Sequence, residues 1–359
     1  MTPCVFYRRP GQNQYVLMAQ TSGQPSSLSS YGDINEGMTG FLFAPFAISG
    51  ATPLLLLRPD VIDHYELNGQ EDISENFFVG RDVANERRRY GAAFRCFHDM
   101  LSHGTFSKIV LSRRSCESSI GPIDAKELFL RACLLYPDMF VALVSMPQCG
   151  TWLMATPEIL VESCGRKWHT MALAGTMPAT PEHDDEAMLK ARRNACDISE
   201  WNAKNIQEQK YVSLYIADCL GNMAENIDES KPYTLRAGAV KHLATDFTFN
   251  LSQHCSLGDL ISELHPTPAV CGIPKEQAYD FIIANEGYDR MYYSGFAGPL
   301  GGTDGTHLYV TLRCMQIDGR TCSLYAGGGL LCDSEEESEW RETENKMNTM
   351  RKCLAIKRI

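Results

Sequence analysis

The stretch that decides the fold is Leu324-Tyr325-Ala326-Gly327-Gly328-Gly329-Leu330, followed by an acidic segment and by Glu339-Trp340-Arg341-Glu342-Thr343-Glu344-Asn345-Lys346. The order of an apolar run, three glycines and a charged run predicts a strand, a glycine turn and a helix. Because glycine has no Cβ, the backbone N–H groups of such a turn can come close to a ligand. The turn therefore suits an anion such as a carboxylate or a phosphate.

The helix after the glycines carries three charged side chains on one face. Glu339, Glu342 and Lys346 are spaced i, i+3 and i+7, which places two carboxylates and one ammonium side by side. Such a face can hold a hard cation, since Mg²⁺ takes one or two protein carboxylates, several waters and oxygens of an anionic substrate. A solvated, salt-bridged helix is the alternative interpretation, because acidic runs such as 333–339 are usually exposed.

Composition and charge limit the class of protein. The chain has 359 residues, of which 44% are hydrophobic, enough for one large core or two smaller ones. A net charge of −11 argues against nucleic acid as a partner, because the one basic run, 87–89, is short. No stretch approaches the roughly 20 apolar residues of a membrane span, and the N-terminus lacks a signal-like pattern, so we expect a cytoplasmic protein without membrane contact. The fourteen cysteines lack Cys-x-x-Cys or Cys/His pairs, so neither a zinc site nor a disulfide framework is predicted.

The rest of the chain is predicted to alternate between strands and helices. Apolar runs separated by Gly, Ser, Pro and Asn predict strands and turns over residues 1–80. Further strands are predicted at 106–113, 139–146, 152–162 with a break at Thr-Pro, 171–178, 292–298 and 308–315. Helical spacing of apolar residues predicts helices at 82–102, 124–135, 181–222 and 275–285.

Two ionisable residues lie where a charge is unusual. Lys108 is at the head of the apolar strand 106–113, and a lysine whose charge is disfavoured by burial can serve as a general base. Alternatively, it is a strand-edge residue whose ammonium reaches solvent. Glu158 follows a Thr-Pro turn beside apolar residues, where it is either an acid with a raised pKa or an exposed turn glutamate.

Four other segments contain further candidates. Gly175 and Thr176 form a predicted glycine turn that would offer N–H groups and a hydroxyl to an anion. His265 opens a loop with three prolines that could present one imidazole, although a lone histidine is more often structural. Arg313 lies among apolar residues and must be paired if it is buried, for example by a substrate carboxylate. Glu208 lies beside the apolar stripe of the predicted long helix, and a single glutamate in such a position usually has a structural role.

Taken together, these motifs resemble one family. The ordered set is Lys-Ile-Val-Leu-Ser-Arg (108–113), Thr-Pro-Glu (156–158), Leu-Ala-Gly-Thr (173–176), the Lys204 to Glu208 helix, His-Pro-Thr-Pro-Ala-Val-Cys-Gly (265–272), Tyr-Ser-Gly (293–295), Arg313, Ala-Gly-Gly-Gly (326–329) and Glu-Trp-Arg-Glu-Thr-Glu-Asn-Lys (339–346). The set resembles the chorismate-utilising enzymes, and among them isochorismate synthase most closely, over about residues 82–359. The resemblance implies an α/β (α+β) fold, a single chorismate-binding domain over 1–359 in which two mostly antiparallel sheets pack face to face with helices outside. Residues 1–80 diverge from the family, and no expectation is carried over to them.

The resemblance also implies a reaction and the residues for it. Lys108 matches the general base that activates water, and Glu158 matches the acid that protonates the departing C4 hydroxyl of chorismate. Water would attack C2, the double bond would shift, and isochorismate would result. The implied Mg²⁺ ligands are Glu208 and Glu342, with Glu339 as a helper. The matched substrate contacts are Tyr293, Arg313, Gly327 and Lys346, and the matched pocket-lining positions are Gly175, Thr176 and His265.

Several positions bear on the choice of reaction within the family. Where many relatives have Lys-Asp-x-x-Glu-His, this chain has Lys204-Asn205-Ile206-Gln207-Glu208-Gln209, which keeps the implied ligand but changes its surroundings. Ala174 replaces the nucleophilic lysine of covalent aminodeoxychorismate synthases, and Lys108 replaces the glutamine of ammonia-using anthranilate synthases. Salicylate synthase, which also eliminates pyruvate, and a catalytically idle chorismate-binding subunit are the alternatives. We expect a monomer whose product feeds menaquinone or siderophore biosynthesis.

Overall fold

The computed structural model describes residues 2–35, 37–67, 77–179, 198, 200–238, 240–354 and 357–358. The helices are α1 (Val83–Ser102), α2 (Ala125–Leu135), α3 (Ala203–Met223), α4 (Leu257–Leu264), α5 (Lys275–Asn285) and α6 (Glu336–Leu354), with a 3-10 turn at Tyr31–Asp33. The strands are β1 (Cys4–Arg8), β2 (Gln14–Ala19), β3 (Ser26–Leu28), β4 (Gly40–Ala44), β5 (Leu54–Leu57), β6 (Val61–Glu66), β7 (Phe77–Val79), β8 (Lys108–Ser119), β9 (Phe140–Met146), β10 (Gly150–Thr156), β11 (Ile159–Cys164), β12 (Lys167–Pro178), β13 (Ala224–Glu229), β14 (Tyr233–Ala237), β15 (Val240–Leu251), β16 (Gly272–Ile273), β17 (Phe296–Leu300), β18 (His307–Val310), β19 (Cys314–Asp318), β20 (Thr321–Leu330) and β21 (Lys357–Arg358).

The strands form two large sheets. The first has eleven strands in the order β21-β7-β8-β20-β19-β10-β9-β1-β2-β6, with β16 paired to β8. The second has ten strands in the order β13-β15-β12-β11-β18-β17-β4-β5-β3, with β14 paired to β15. Neighbouring strands run antiparallel, apart from the parallel pair β7 and β21.

An aromatic core lies between the two sheets. Phe140 of β9 stacks on Tyr309 of β18 in the opposite sheet, with ring centroids 4.2 Å apart. Phe43 of β4 likewise contacts Trp152 of β10, with centroids 6.3 Å apart. Buried aromatic rings remove large apolar areas from water, so this layer joins the sheets.

The helices cover the outer faces of the sheets. Residues of α2 and α6 share one apolar cluster with the first sheet, and residues of α3 and α4 share another with the second sheet. Helices α1 and α5 pack together beside β8. The prediction of two face-to-face antiparallel sheets with helices outside is therefore confirmed. None of the described helices is long and apolar enough to cross a lipid bilayer.

Three helices agree closely with the sequence-based predictions. Helices α1, α2 and α5 begin and end within a residue of the predicted bounds. The long helix predicted over 181–222 corresponds to α3, but it begins later than predicted, because residues 200–202 are not helical and Asn202 is the N-cap. Its predicted first part, 181–197, lies outside the described residues.

Several predictions of local structure are wrong. The three glycines 327–329 do not form a turn but continue β20, where they pair with Ser112, Leu111 and Val110 of β8. The predicted strand 308–315 is two strands, because β18 belongs to the second sheet and β19 to the first. The chain crosses between the sheets at Arg313, whose φ of 45° lies in the left-handed region and ends the extended conformation. The predicted strand 292–298 begins only at Phe296.

Candidate active site

A cavity opens between the part of β20 that contains glycines 327–329 (the glycine strand), the crossover at Arg313 and the first turns of α3. It contains about 540 Å³ of space not filled by protein atoms, including its opening to solvent. Its polar lining residues are Glu158, Thr176, Glu208, His242, Tyr293, Arg313 and Lys346. Backbone of Gly175, Gly327 and Gly329 completes the polar part, and Val110, Leu173, Ala269 and Val270 supply apolar wall. Eight of the sequence-predicted residues thus line one concave site: Glu158, Gly175, Thr176, Glu208, Tyr293, Arg313, Gly327 and Lys346.

The three glycines make room for the side chains around the cavity. A Cβ at Gly329 would overlap Glu208 and lie 2.6 Å from Lys108 Cε. A Cβ at Gly328 would lie 3.0 Å from Glu339 Oε2, and one at Gly327 would lie 2.9 Å from Tyr293 Oη. Any larger residue would displace ionisable groups, which explains three successive glycines inside a strand.

Lys108 lies behind the glycine strand and is fully buried, so the strand-edge interpretation is wrong. Its Nζ is 3.1 Å from Glu208 Oε1, an ion pair between β8 and α3. Burial opposes the charge of Glu208, but the charges of Lys108 and Lys346 outweigh it and lower the pKa of this carboxyl. The other oxygen, Oε2, accepts a hydrogen bond from the Gly175 N–H at 3.2 Å.

Glu158 supplies a carboxylic acid to the cavity. The break between β10 and β11 turns it inward, where only 2% of it is exposed. Burial raises the pKa of Glu158 to about 8, against the lowering effect of the Arg313, Lys108 and Lys346 charges. At neutral pH the group is mostly protonated, which is the form that donates a proton.

His242 and Arg313 form a hydrogen-bonded pair. The sequence analysis identified Arg313 as a candidate but not His242. His242 Nδ1 is 2.8 Å from the Gly175 carbonyl, so Nδ1 carries the proton and Nε2 accepts from Arg313 Nη2. Burial and the nearby Arg313 charge keep the pKa of His242 well below its ordinary value, so the ring is neutral. The signal for it was a histidine among apolar residues, Val240-Lys241-His242-Leu243, in a segment for which no strand was predicted.

Gly175 and Thr176 are held in a β-bulge of β12 rather than in a terminal turn. The pairing of β12 with β15 shifts between Ala174 and Met177, and Gly175 has a φ of 68° that favours glycine. Asn205 of α3 fixes the bulge, since its Oδ1 accepts from Thr176 N–H at 3.4 Å and its Nδ2 donates to Thr176 O at 3.3 Å. An asparagine makes both contacts because its amide both donates and accepts.

The carboxylates of α6 lie next to the cavity. Lys346 Nζ donates to Gly327 O at 2.9 Å and to Glu342 Oε1 at 2.7 Å. Glu339 is 1% exposed, and its Oε1 pairs with Lys204. Burial and the charge of Glu342 raise the pKa of Glu339 to about 7, against the effect of Lys204.

These carboxylates fit a hard cation only in part. Glu339 Oε2 is buried and has no hydrogen bond of good geometry within the described residues, so an acceptor is available beside Glu342. Oxygen donors of this kind suit Mg²⁺, which needs only one or two of them. Across the described ranges, however, no three acidic, histidine or cysteine side chains converge closely enough to ligate one ion. The predicted ligand set of Glu208 and Glu342, with Glu339 as a helper, therefore stays a prediction.

His265 is not brought to the cavity. It follows α4 and packs edge-on against Tyr31 and Phe296, with ring centroids 5.5 and 5.1 Å away. Burial lowers the pKa of His265 to about 3, which keeps the ring uncharged in this apolar setting. The same loop contributes Ala269 and Val270 to the wall of the cavity instead.

Fold, cavity and sequence define a family. Residues 62–355 match the family model described as chorismate binding enzyme, and the chain belongs to this family. The resemblance drawn from the motifs is thereby confirmed.

Particular relatives are isochorismate synthases. The chain is 31% identical over 267 residues to isochorismate synthase DhbC of Bacillus subtilis, which is 72% of this chain and 66% of that protein. It is 29% identical over 353 residues to the vibriobactin-specific isochorismate synthase of Vibrio cholerae, covering 96% of this chain and 86% of the relative. The fold matches that of MenF, the menaquinone-specific isochorismate synthase from Escherichia coli, with a TM-score of 0.80 at 21% identity over 98% and 88% of the two chains.

Proposed function

We propose that this protein is an isochorismate synthase, which converts chorismate to isochorismate with Mg²⁺. The observation that carries the proposal is the buried Glu158 carboxyl, with its pKa raised to about 8, in the same cavity as Arg313 and with Lys108 directly behind the glycine strand. An acid, a lysine and a guanidinium around one pocket suit the exchange of a hydroxyl group on a dianionic substrate. The names of the two relatives and of the structural neighbour agree with this reaction.

Substrate binding rests on the cationic groups of the cavity. Arg313 is 4% exposed, and its Nη1 has no partner within the described residues. A buried guanidinium nitrogen without a partner is costly, so a substrate carboxylate that accepts from it gains a charge-assisted hydrogen bond. Lys346, held by Gly327 O and Glu342, provides a second positive charge for the same anion.

In the proposed reaction Lys108, in its neutral amine form, removes a proton from water, whose oxygen bonds to C2 of chorismate. The ring double bond shifts, the C4–O bond breaks, and Glu158 donates its proton to the departing hydroxyl, which leaves as water. One water is consumed and one is released, so the reaction is an isomerisation. Glu208, Glu339 and Glu342 would hold Mg²⁺, which when bound would neutralise the charge of the ring carboxylate.

The test is to incubate the purified protein with chorismate and Mg²⁺ and to identify the products by chromatography and mass spectrometry. A mixture of chorismate and isochorismate without pyruvate is expected, and EDTA should abolish the conversion until Mg²⁺ is restored. Salicylate with pyruvate would replace the proposal by salicylate synthase. Binding of chorismate without any product would instead indicate an idle binding subunit.

A further inference from the structure

Every carboxylate of the predicted cation site is paired with a lysine. The pairs are Lys108–Glu208, Lys204–Glu339 and Lys346–Glu342. A divalent cation that enters this site therefore does not meet free carboxylates. It competes with ammonium groups that already neutralise them.

The three lysines differ in how firmly they are held. The Lys108 side chain is fully buried, and that of Lys346 is 14% exposed and also bonded to Gly327 O. The Lys204 side chain is 24% exposed, and its one hydrogen bond among the described residues is to Glu339. A flexible four-carbon stem with a partly exposed ammonium can turn into solvent without leaving a second partner unsatisfied. Lys204 is thus the lysine that an entering cation displaces most easily.

The carboxylate held by Lys204 is the one best placed to bind a cation. Glu339 is buried, its Oε2 lacks a hydrogen bond of good geometry within the described residues, and it lies beside Glu342. Lys204 is also electrostatically coupled to Glu342 and Glu208, so its ammonium feels all three acidic groups. The positive charge of Lys204 is therefore attracted by the same carboxylates that would attract a cation.

We propose that Lys204 is a resident cation of the metal-free protein, which pairs with Glu339 and has to leave before a divalent cation binds at Glu339 and Glu342. Lys204 then sets the affinity of the site for Mg²⁺. The inference rests on the proposed function, because it takes these carboxylates as the cation site of that enzyme. It predicts that a neutral side chain at position 204 makes cation binding tighter rather than weaker.

The experiment is a Mn²⁺ titration of the full-length, EDTA-treated protein without chorismate, followed by the loss of the free Mn²⁺ signal in electron paramagnetic resonance. A pH of 8 limits competition by protons for Glu339. Lys204→Met should bind Mn²⁺ about tenfold more tightly than the wild type, the size expected for a partly screened ion pair. Lys204→Arg keeps the charge and should stay within about twofold of the wild type.

Lys210→Met is the matched control, since Lys210 is exposed on the same helix and the substitution removes the same charge. Its Mn²⁺ affinity should equal that of the wild type. If Lys204→Met does not fold, as judged by its thermal melt, Lys204→Gln replaces it.

Equal or weaker binding by the neutral variants would overturn the proposal, because Lys204 would then be indifferent or would hold Glu339 in place. Equal tightening in Lys210→Met would also overturn it, since net charge alone would be responsible. If no variant binds Mn²⁺, the cation assignment itself is wrong. Chorismate turnover, measured separately with Mg²⁺, shows whether the proposed function fails as well.

Discussion

Arg313 places its side chain in the cavity through an unusual backbone conformation. Its φ of 45° is in the left-handed region, which costs a residue with a Cβ about 1 kcal/mol or more. The residue lies at the crossover between the two sheets, and its carbonyl accepts from Ala155 N–H at 3.2 Å. This hydrogen bond to β10 helps to hold the strained conformation that directs the guanidinium inward.

Comparing glycine with alanine at position 313 separates this strain from the function of the side chain. Both Arg313→Gly and Arg313→Ala lack the guanidinium and should lose turnover of chorismate by at least about a hundredfold. Glycine tolerates the positive φ, so Arg313→Gly should be about 1 kcal/mol more stable than Arg313→Ala. Urea denaturation of the two variants measures the difference, and equal stability would mean that the backbone carries no strain.

Because of Glu158, the turnover number should fall at alkaline pH. Its pKa is raised to about 8 by burial, so the acid form needed for proton donation is lost as the pH rises through about 8. The turnover number measured between pH 6 and 10 should fall with that midpoint. An alkaline limit that persists in a variant without this carboxyl would contradict the assignment.

Glu158→Gln is that variant, and it tests the role of the acid without disturbing the fold. Glutamine resembles the protonated carboxyl in size and in hydrogen-bonding capacity, so stability should change little. Turnover should fall by at least about a hundredfold, as expected for lost general acid catalysis. Near-normal turnover would remove Glu158 from the mechanism.

Individual site residues could be predicted from the sequence where a charged side chain lies in an otherwise apolar segment. Lys108, Glu158 and Arg313 are charged groups in apolar segments, and all three are buried at or beside the cavity. His265 and His242 show the limit of this approach. The rigid loop that contains His265 suggested a site residue. Whether a histidine lies in the core or in the cavity, however, depends on contacts with residues distant in sequence.

At the scale of elements, the glycine strand shows tertiary packing overriding a local signal. Three adjacent glycines predict a turn, because glycine is the residue most free to adopt turn conformations. In the structure they are extended, and the close approach of Lys108, Glu208 and Glu339 explains why no side chain is possible there. Sequence spacing places charged residues along one helix, but it does not show which side chains of other elements approach the neighbouring strand.

Helix α6 is fixed by one carboxylate surrounded by arginines. Glu344 accepts hydrogen bonds from Arg81, Arg113 and Arg351. Arg113 also lies over the Trp340 ring, 3.8 Å from its centroid. The same helix carries Glu339, Glu342 and Lys346, so this network sets the position of the cavity's charged groups.

Removing this carboxylate should destabilise the protein strongly. Glu344→Gln removes the negative charge shared by three mostly buried guanidinium groups. Arg81 and Arg113 keep Glu86 as a partner and Arg351 keeps Glu117, so the loss should be about 1.5 to 3 kcal/mol of unfolding free energy, as for hydrogen bonds to charged groups. Glu337→Gln is the control on the same helix, because the Glu337 side chain is 54% exposed and its ion pairs should be worth less than about 1 kcal/mol. Urea denaturation of both variants measures the contrast, and a similar small loss in both would show that the network does not hold the helix.

For the whole molecule, the family resemblance predicted the two-sheet architecture, and the sequence pattern alone did not. Apolar periodicity located most helices, but strand order depends on pairings between distant segments, such as β8 with β20. For the same reason, the switch of the chain from one sheet to the other at Arg313 could not be predicted from the sequence. The mostly apolar segment 308–315, which includes Thr311 and Arg313, does not indicate which sheet each half joins.

A charged network outside the cavity ties four strands of the second sheet together. His169 of β12 lies between Glu162 of β11 and Asp246 of β15, with distances of 2.9 and 3.0 Å. The other oxygen of Glu162 is 3.0 Å from Nδ1 of His307, on β18. Despite the opposing effect of burial, the two carboxylates raise the pKa of His169 from 6.5 to about 9, and the two histidines lower that of Glu162 to about 2. At neutral pH the network therefore contains an imidazolium held between carboxylates.

The stability of the whole protein should accordingly depend on pH through His169. Because its pKa is raised on folding, its contribution is fully present below pH 6.5 and is lost as the pH rises through about 9. The unfolding free energy of the wild type should exceed that of His169→Gln by about 1 to 2 kcal/mol at pH 6, after allowance for screening by solvent. The difference should be largely gone at pH 10. His64→Gln, at an exposed position of edge strand β6, should show no such pH-dependent difference. A His169→Gln deficit that is equally large at pH 6 and pH 10 would mean that packing of the ring, and not its charge, joins the strands.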